Sequence, residues 1–260
     1  MLSKSSKKKK TNTKPKFSRA DFGAVIVILC WTVLSFVAAN AIVYSLIKSL
    51  ERTSLLSDMG QNVFVVLSSM MIFGITLLLL WFGALLSRRY PKKFAELSVT
   101  KNDLGWGGWL TWQQLLLGVA AYIAIMVASV FILGLVGQLF PDFQMDQAQD
   151  VGLTANIYNR SEMLAVFGLL VIFTPIVEEL IFRGYLYGKF RQKMSVFWSV
   201  LVVSVLFGLA HGQWNVGVVT FVMSIGMCLC REATGSVYPA IIIHMIKNGL
   251  AFMLLFVAKA

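Results

Sequence analysis

Residues 164–186 read LAVFGLLVIFTPIVEELIFRGYL, an apolar run that contains two adjacent glutamates, Glu178 and Glu179, and one arginine, Arg183. A transmembrane helix needs about 20 mostly apolar residues, so this run is long enough to cross a bilayer. An ionisable side chain inside such a span costs about 2.5–3.5 kcal/mol on insertion scales unless it is paired or hydrated. The stretch therefore predicts a membrane-spanning helix whose charged residues lie in a polar, functional environment.

Similar apolar runs lie on both sides of this one and set the fold class. Hydrophobic residues make up 58% of the 260 residues, charged residues 13%, and the mean hydropathy is +0.76. A soluble domain is closer to about 45–50% apolar and 25% charged. The composition predicts an all-α, polytopic transmembrane helix bundle of about seven spans around an intramembrane polar cavity. The predicted spans are 22–47, 62–86, 113–139, 164–186, 195–211, 216–230 and 237–257.

The net charge of +11 is concentrated at the N-terminus, where residues 1–20 carry eight lysines and arginines. Because an uninterrupted apolar run follows, we interpret these residues as a disordered cytoplasmic tail near anionic lipid headgroups, with no nucleic acid as partner. Basic loops after the second and fourth spans also fall on the inside, and the acidic stretch 141–150 falls on the outside. We expect a multi-pass protein of a bacterial cell membrane with a cytoplasmic N-terminus. Its predicted divisions are the tail 1–20, an N-terminal transmembrane region 21–159 and a C-terminal transmembrane domain 160–257.

Helical spacing separates the three charged residues of the fourth span. Glu179 and Arg183 are four residues apart on one face, with the acid on the N-terminal side, which favours an ion pair. Glu178 points about 100° away and has no partner nearby in sequence. It needs water, a metal or a charge from another helix. Pro175 removes a backbone hydrogen bond and predicts a kink just before Glu178.

The chain contains only two histidines, His211 and His244, and both lie in or at the end of apolar spans. Phe207 lies one helical turn before His211, on the same face. Asn248 lies one turn after His244, so an imidazole and a carboxamide share a face. We expect these residues to converge with Glu178 on one water-accessible cavity, because separate packing roles for all of them would be a coincidence.

Three blocks in this order resemble the CAAX-protease and bacteriocin-processing (Abi) family, whose pattern is E-E-x-x-x-R, F-x-x-x-H and H-x-x-x-N. They read Glu178-Glu179…Arg183, Phe207…His211 and His244…Asn248 here. The resemblance covers residues 160–257 and implies a bundle of helices around a conical cavity. It also implies hydrolysis of a peptide bond, the reaction of type II CAAX prenyl endopeptidases. In bacteria the family is linked to peptide processing and to self-immunity.

The resemblance also implies a role for each matched residue. Glu178 corresponds to the glutamate that activates water and His211 to its assistant. His244 and Asn248 correspond to the pair that stabilises the oxyanion, whereas Glu179 and Arg183 support the site. Such family members are often called metalloproteases. Glu178, His211 and His244 are the candidate ligands of a divalent metal such as zinc, but the H-E-x-x-H spacing of zincins is absent, and we favour a metal-free mechanism.

The leading hypothesis is an intramembrane endopeptidase that acts on a peptide or protein substrate at the membrane. The alternative is a non-catalytic immunity or sensor-regulating membrane protein of the same fold, with a sensor kinase or a peptide-export system as its partner. An ion-coupled transporter is a third reading, since buried glutamates and histidines also line transport pathways. Lys247, beside Asn248, is expected either to extend toward the interface or to pair with a carboxylate such as Glu178.

Overall fold

The computed structural model describes residues 18–51, 60–143, 149, 152–154, 157 and 159–258. The basic tail up to residue 17 and most of the acidic stretch 141–150 lie outside these ranges. The described part of the chain is helical with connecting turns and contains no strand, which confirms the predicted all-α class. Its long helices in chain order are α1 (Arg19–Leu50), α2 (Gln61–Arg89), α5 (Trp112–Leu139), α9 (Val196–Leu209), α10 (Trp214–Thr234) and α11 (Tyr238–Phe252).

The fourth predicted span is a composite of α-helical and π-helical pieces, here called the composite helix (160–193). It consists of α6 (Arg160–Phe167), a π-helical segment (Gly168–Phe173), α7 (Thr174–Glu179), a second π-helical segment (Leu180–Leu186) and α8 (Tyr187–Lys193). The irregularity expected at Pro175 is therefore a pair of π-helical segments that flank α7. A π-helical turn shifts the backbone hydrogen bonds from four to five residues and is frequent at functional sites.

All seven predicted spans are helical, and six of them are long and apolar enough to cross a membrane. The exception is α9, whose 14 residues extend about 21 Å at 1.5 Å per residue. That is shorter than the roughly 30 Å of a hydrocarbon core. The molecule is thus a multi-pass membrane protein with six candidate spans and one shorter apolar helix.

The composite helix lies at the centre of the bundle and separates two of its packed regions. On one side, Val177 and Ile181 pack with Ile28 of α1 and Val203 of α9. On the other side, residues near its start, including Val166, pack against α2 and α11. Between lipid-exposed helices, association depends on close packing rather than on a hydrophobic driving force. Large apolar side chains of α1 and α5 remain exposed on the outside of the bundle, as expected for a lipid-facing surface.

Short helices join α2 to α5 and lie against the C-terminal half of the composite helix. They are α3 (Pro91–Phe94), a 3₁₀ turn (Ala95–Leu97) and α4 (Lys101–Leu104). The chain then reaches α5 through a capping box between Thr111 and Gln114. Trp109 is 92% exposed in this connection, and its placement at the headgroup layer stays a prediction.

Arg231 of α10 joins the short helices to the composite helix. Its Nη2 donates to the carbonyl oxygens of Asn102 (2.9 Å) and Asp103 (3.1 Å), and its Nε donates to that of Arg183 (3.3 Å). The Arg183 carbonyl lies in the second π-helical segment, where the Tyr187 amide bonds to residues 182 and 184 on either side of it. The buried Arg231 guanidinium therefore connects α10, α4 and the composite helix.

Candidate active site

The Glu179 carboxylate is the centre of a buried polar network. Its Oε1 accepts from Arg183 Nη1 at 2.9 Å, and the side chains of both residues are fully buried. The same oxygen lies 2.9 Å from Nδ1 of His244, on α11. The ion pair expected from the four-residue spacing is thus present, but the sequence did not indicate its third member. Because the carboxylate is paired with a guanidinium, it acts as an acceptor, and we assign the proton of this contact to His244 Nδ1.

Glu178 occupies the neighbouring position but a different environment. Its side chain is 18% exposed, and its Oε2 lies 3.9 Å from His244 Nε2. That distance is too long for a direct hydrogen bond. Within the described ranges this oxygen has no hydrogen-bond partner. The polar group that another helix brings toward Glu178 is the His244 imidazole of α11, which lies between the two adjacent glutamates.

His211 follows the end of α9 rather than lying within a membrane helix. Its Nδ1 is 2.8 Å from the carbonyl oxygen of Phe207, which can only accept, so Nδ1 carries the proton and Nε2 is the unprotonated nitrogen of the neutral ring. The Phe207 ring lies edge-on to both imidazoles, with centroid distances of 4.9 Å to His211 and 5.8 Å to His244. The Arg183 guanidinium lies 4.1 Å from the centre of the same ring. Phe207 therefore fixes the orientation of three polar groups, whereas the sequence indicated only one.

Asn248 donates a hydrogen bond to a backbone carbonyl for which the composite helix itself provides no donor. In the first π-helical segment the Thr174 amide bonds to the carbonyl of Leu169, five residues earlier. The next amide in this register would belong to Pro175, which has no N–H. Asn248 Nδ2 donates to the carbonyl left over, that of Leu170, at 2.8 Å. Asn248, one of the two donors predicted for the oxyanion, therefore uses one amide hydrogen to stabilise the fold. Its second amide hydrogen remains.

A cavity of about 510 Å³ brings these side chains together. Glu178, His211, His244 and Asn248 all line it, as expected from the sequence, whereas Glu179 and Arg183 lie behind its wall. The remaining lining is mostly apolar and comes from α2, α5, α10, α11 and the composite helix, for example Phe73, Leu133, Leu169, Val216, Val219 and Leu255. Such a cavity falls in the range of about 300–1,000 Å³ that binds drug-sized ligands.

Lys247 also lines the cavity, and its Nζ lies 3.4 Å from Oε1 of Gln149. Neither of the two arrangements expected for Lys247, extension toward the interface or pairing with Glu178, is fully formed. The ammonium stays in the cavity, and among the described residues no ion pair within 4.0 Å joins it to Glu178.

The candidate metal ligands do not form a metal-binding group in the described residues. Within these residues no three side chains of His, Cys, Asp or Glu are close enough together to hold an ion. His244 also directs Nδ1 to Glu179, which leaves only Nε2 for another contact. An imidazole that binds a metal through Nε2 commonly directs Nδ1 to a carboxylate in this way, so the metal-free mechanism that the sequence favours stays a prediction.

Sequence reasoning missed the hydrogen bond between Glu179 and His244 and the contacts of Arg231 with backbone carbonyls. An imidazole and a carboxylate on separate helices carry no spacing signal, because helix packing alone decides whether they meet. The contacts of Arg231 had a weak signal, since Arg231 and Glu232 are adjacent charges near the end of the apolar run of α10. An unpaired charge in a span calls for a partner elsewhere, and here the partners are backbone carbonyls.

The C-terminal part of the chain matches a family of membrane proteases. Residues 160–250 match the family described as type II CAAX prenyl endopeptidase Rce1-like. The match extends from the start of the composite helix into α11, so it includes all six residues predicted for the site. It confirms the family resemblance that the three sequence blocks indicate.

One similar curated protein is the "Putative membrane peptidase YdiL" of Bacillus subtilis (strain 168), which is 29% identical over 74 residues. The alignment covers 28% of this chain and 30% of that relative, so the chain spans less than a third of the relative's length. No solved structure matches the chain.

Proposed function

We propose that this protein is an intramembrane endopeptidase that hydrolyses a peptide bond in a membrane-associated peptide or protein. One observation carries the proposal. The Glu178 carboxylate and the His244 imidazole face each other at 3.9 Å in a cavity that His211 also lines, inside a bundle of membrane helices. Amide hydrolysis needs a base for water and donors for the oxyanion, and these groups can provide both.

Glu178 is the proposed base. The Glu178 side chain lines the cavity and is 18% exposed, so a water in the cavity can contact its carboxylate beside His244. The water transfers a proton to the Glu178 carboxylate, and its oxygen forms a bond to the carbonyl carbon of the scissile amide. The tetrahedral intermediate then breaks its C–N bond, and the proton held on Glu178 moves to the leaving amine. One water is consumed, and a carboxylic acid and an amine are released, which ionise to a carboxylate and an ammonium.

His244 and Asn248 are the proposed oxyanion donors. His244 Nδ1 donates to Glu179, so Nε2 donates only when the ring carries both protons, and the Glu179 carboxylate is then its counter-charge. Asn248 contributes the amide hydrogen that Leu170 does not use. His211, with its unprotonated Nε2, accepts a hydrogen bond from the attacking water and so assists Glu178. Glu179 and Arg183 act through His244 as positioning residues.

The proposal places the protein in a bacterial cell membrane with its N-terminus in the cytoplasm. The basic residues before α1, between α2 and α5 and at the end of the composite helix support this orientation, because positive loops remain inside. The basic tail would then contact anionic headgroups. The reaction as proposed uses the side chains alone and has no step on a metal.

A peptide library and isotopic water test the proposal. The protein is reconstituted in lipid nanodiscs with a library of apolar peptides in H₂¹⁸O, and the products are identified by mass spectrometry. The wild type should generate fragments that carry one ¹⁸O in the new C-terminal carboxylate, and Glu178→Gln should lose at least about 100-fold in rate, as expected for a general base.

The matched control is Glu96→Gln, which neutralises a carboxylate that pairs with Lys193 outside the cavity, and it should cleave like the wild type. Equal cleavage by Glu178→Gln and the wild type would refute the assignment of the base. A wild type that yields no labelled product would instead favour the non-catalytic immunity or regulatory protein.

A further inference from the structure

The cavity holds a cation that the proposed reaction does not use. Lys247 lies between His244 and Asn248 on α11 and lines the same cavity as Glu178. Its hydrogen bond at 3.4 Å is long, and the acceptor, Oε1 of Gln149, is a neutral amide oxygen. In the part of the chain that the structure describes, no carboxylate lies within 4.0 Å of its Nζ.

Comparison with Arg183 shows why this arrangement is unusual. Both residues carry a positive charge inside a candidate span, but Arg183 has an ion pair with Glu179 at 2.9 Å. A lysine in a membrane helix is costly unless it is paired or hydrated. Lys247 is also too far from Glu178 for a direct ion pair, and the nearer imidazole of His244 faces that carboxylate. As far as the described residues extend, the charge of Lys247 is thus available to a ligand that enters the cavity.

We propose that Lys247 binds a carboxylate of the substrate peptide, an inference that rests on the proposed peptidase function. Lys247 is three residues from His244, so the two Cα atoms are separated by about 4.5 Å along the helix. Consecutive residues of an extended peptide are separated by about 3.3–3.6 Å. The bound carboxylate therefore belongs to a residue within a few positions of the scissile bond. It is either the C-terminal carboxylate or the side chain of an aspartate or glutamate.

The mostly apolar lining supports this form of recognition. A mostly apolar lining strengthens the attraction between an ammonium and an anion, and a peptide that lacks the matching anion would leave the charge unpaired. A site of this kind discriminates against substrates that lack the group more strongly than an apolar pocket discriminates by size. Lys247 would then select the substrate and fix its register against Glu178.

Binding is measured with a protein that does not cleave its ligand. Glu178→Gln in nanodiscs is incubated with an equimolar pool of apolar hexapeptides in three forms, namely C-terminal acid, C-terminal amide, and amide with one internal glutamate. Bound peptides are quantified by affinity selection and mass spectrometry. At least one carboxylate form should be enriched about tenfold or more over the plain amides, and the enriched form identifies the source of the carboxylate.

The same measurement on two further variants isolates the role of Lys247. Adding Lys247→Met should abolish the enrichment, because methionine keeps the length of the side chain but not its charge, whereas Lys247→Arg should retain part of it. A common thermal unfolding midpoint establishes that the variants are folded. The proposal is overturned if all three forms bind alike, if no form binds, or if the enrichment persists in Lys247→Met. In the last case Lys247 has another role, for example as a distant counter-charge of Glu178.

Failure of this inference is distinguishable from failure of the peptidase assignment. A wild type that hydrolyses all three peptide forms at the same rate refutes the carboxylate site but retains the peptidase. A protein that enriches acids through Lys247 but incorporates no ¹⁸O refutes the peptidase and retains the site.

Discussion

Replacing Asn248 with leucine removes the donor to the Leu170 carbonyl while keeping the branched shape and the number of heavy atoms of the side chain. The carbonyl lies in the composite helix at a position where Pro175 lacks the N–H that the π-helical register requires. An acceptor left without a partner in a buried site costs about 1–3 kcal/mol. Asn248→Leu should therefore lower the free energy of unfolding by about this amount.

A second substitution tests the stated reason for the loss. Pro175→Ala restores a backbone N–H that can reach Leu170 in the five-residue register. Asn248→Leu should then cost less in the Pro175→Ala background than in the wild type. Since residues that share one partner are coupled by about 0.5–3 kcal/mol, we expect a coupling energy of about 1 kcal/mol or more.

The four proteins of this cycle are compared by reversible unfolding in mixed micelles. A control cycle combines Pro175→Ala with Asn40→Leu, because Asn40 Nδ2 donates at 2.9 Å to Phe36 within α1. The control pair should be additive within about 0.5 kcal/mol. Additivity of the Pro175 and Asn248 effects to the same precision would refute the argument that Asn248 replaces the missing proline donor.

The cycle also separates two roles of Asn248. If it serves only the fold, the double variant should recover activity along with stability. In the proposed mechanism it also donates to the oxyanion, so the double variant should regain stability while its rate of peptide cleavage remains lower by about 10²–10³-fold.

Three further predictions concern the network, the packing and the metal. Arg183→Met leaves Glu179 buried without its ion-pair partner and should destabilise the protein by about 3–5 kcal/mol, measured by the same unfolding assay; a loss under about 1 kcal/mol would contradict this. Gly188→Ala places a Cβ against the carbonyl of Asp103 and should cost about 1–3 kcal/mol, whereas Gly134→Ala, which meets open space in α5, should not destabilise the fold. Elemental analysis of the purified, active protein should find no stoichiometric zinc, and treatment with a chelator should leave peptide cleavage unchanged. Stoichiometric zinc that disappears together with activity would refute the metal-free mechanism.

The spans and the ion pair could be predicted from the sequence because both depend on local periodicity. Apolar runs of sufficient length give membrane helices, and a spacing of four residues places Glu179 beside Arg183. The fifth span was overestimated, since α9 ends at Leu209 and is followed by a turn at Gly212 with φ of 68°. The apolar run of the sequence continues to Ala210, one residue past the end of the helix.

The interhelical contacts could not be predicted in the same way. A proline in a span predicts some disturbance, but whether it produces a kink or π-helical turns depends on what satisfies the released carbonyl. Here Asn248, 78 residues away, satisfies Leu170. Similarly, the spacing of His244 and Asn248 correctly placed both on one face of α11. It did not show that each already has one hydrogen-bond donor engaged elsewhere.

The adjacent glutamates illustrate how one helix can support two opposite requirements. A base must have an accessible lone pair, whereas the group that orients its neighbour must be immobile and fully paired. Because successive helical positions point about 100° apart, Glu179 faces the packed interior and Glu178 faces the cavity. His244 then connects them, with Nδ1 toward the fixed carboxylate and Nε2 toward the accessible one. Any substitution that releases Glu179 should therefore act on Glu178 through the orientation of this imidazole, even where the cavity itself keeps its shape.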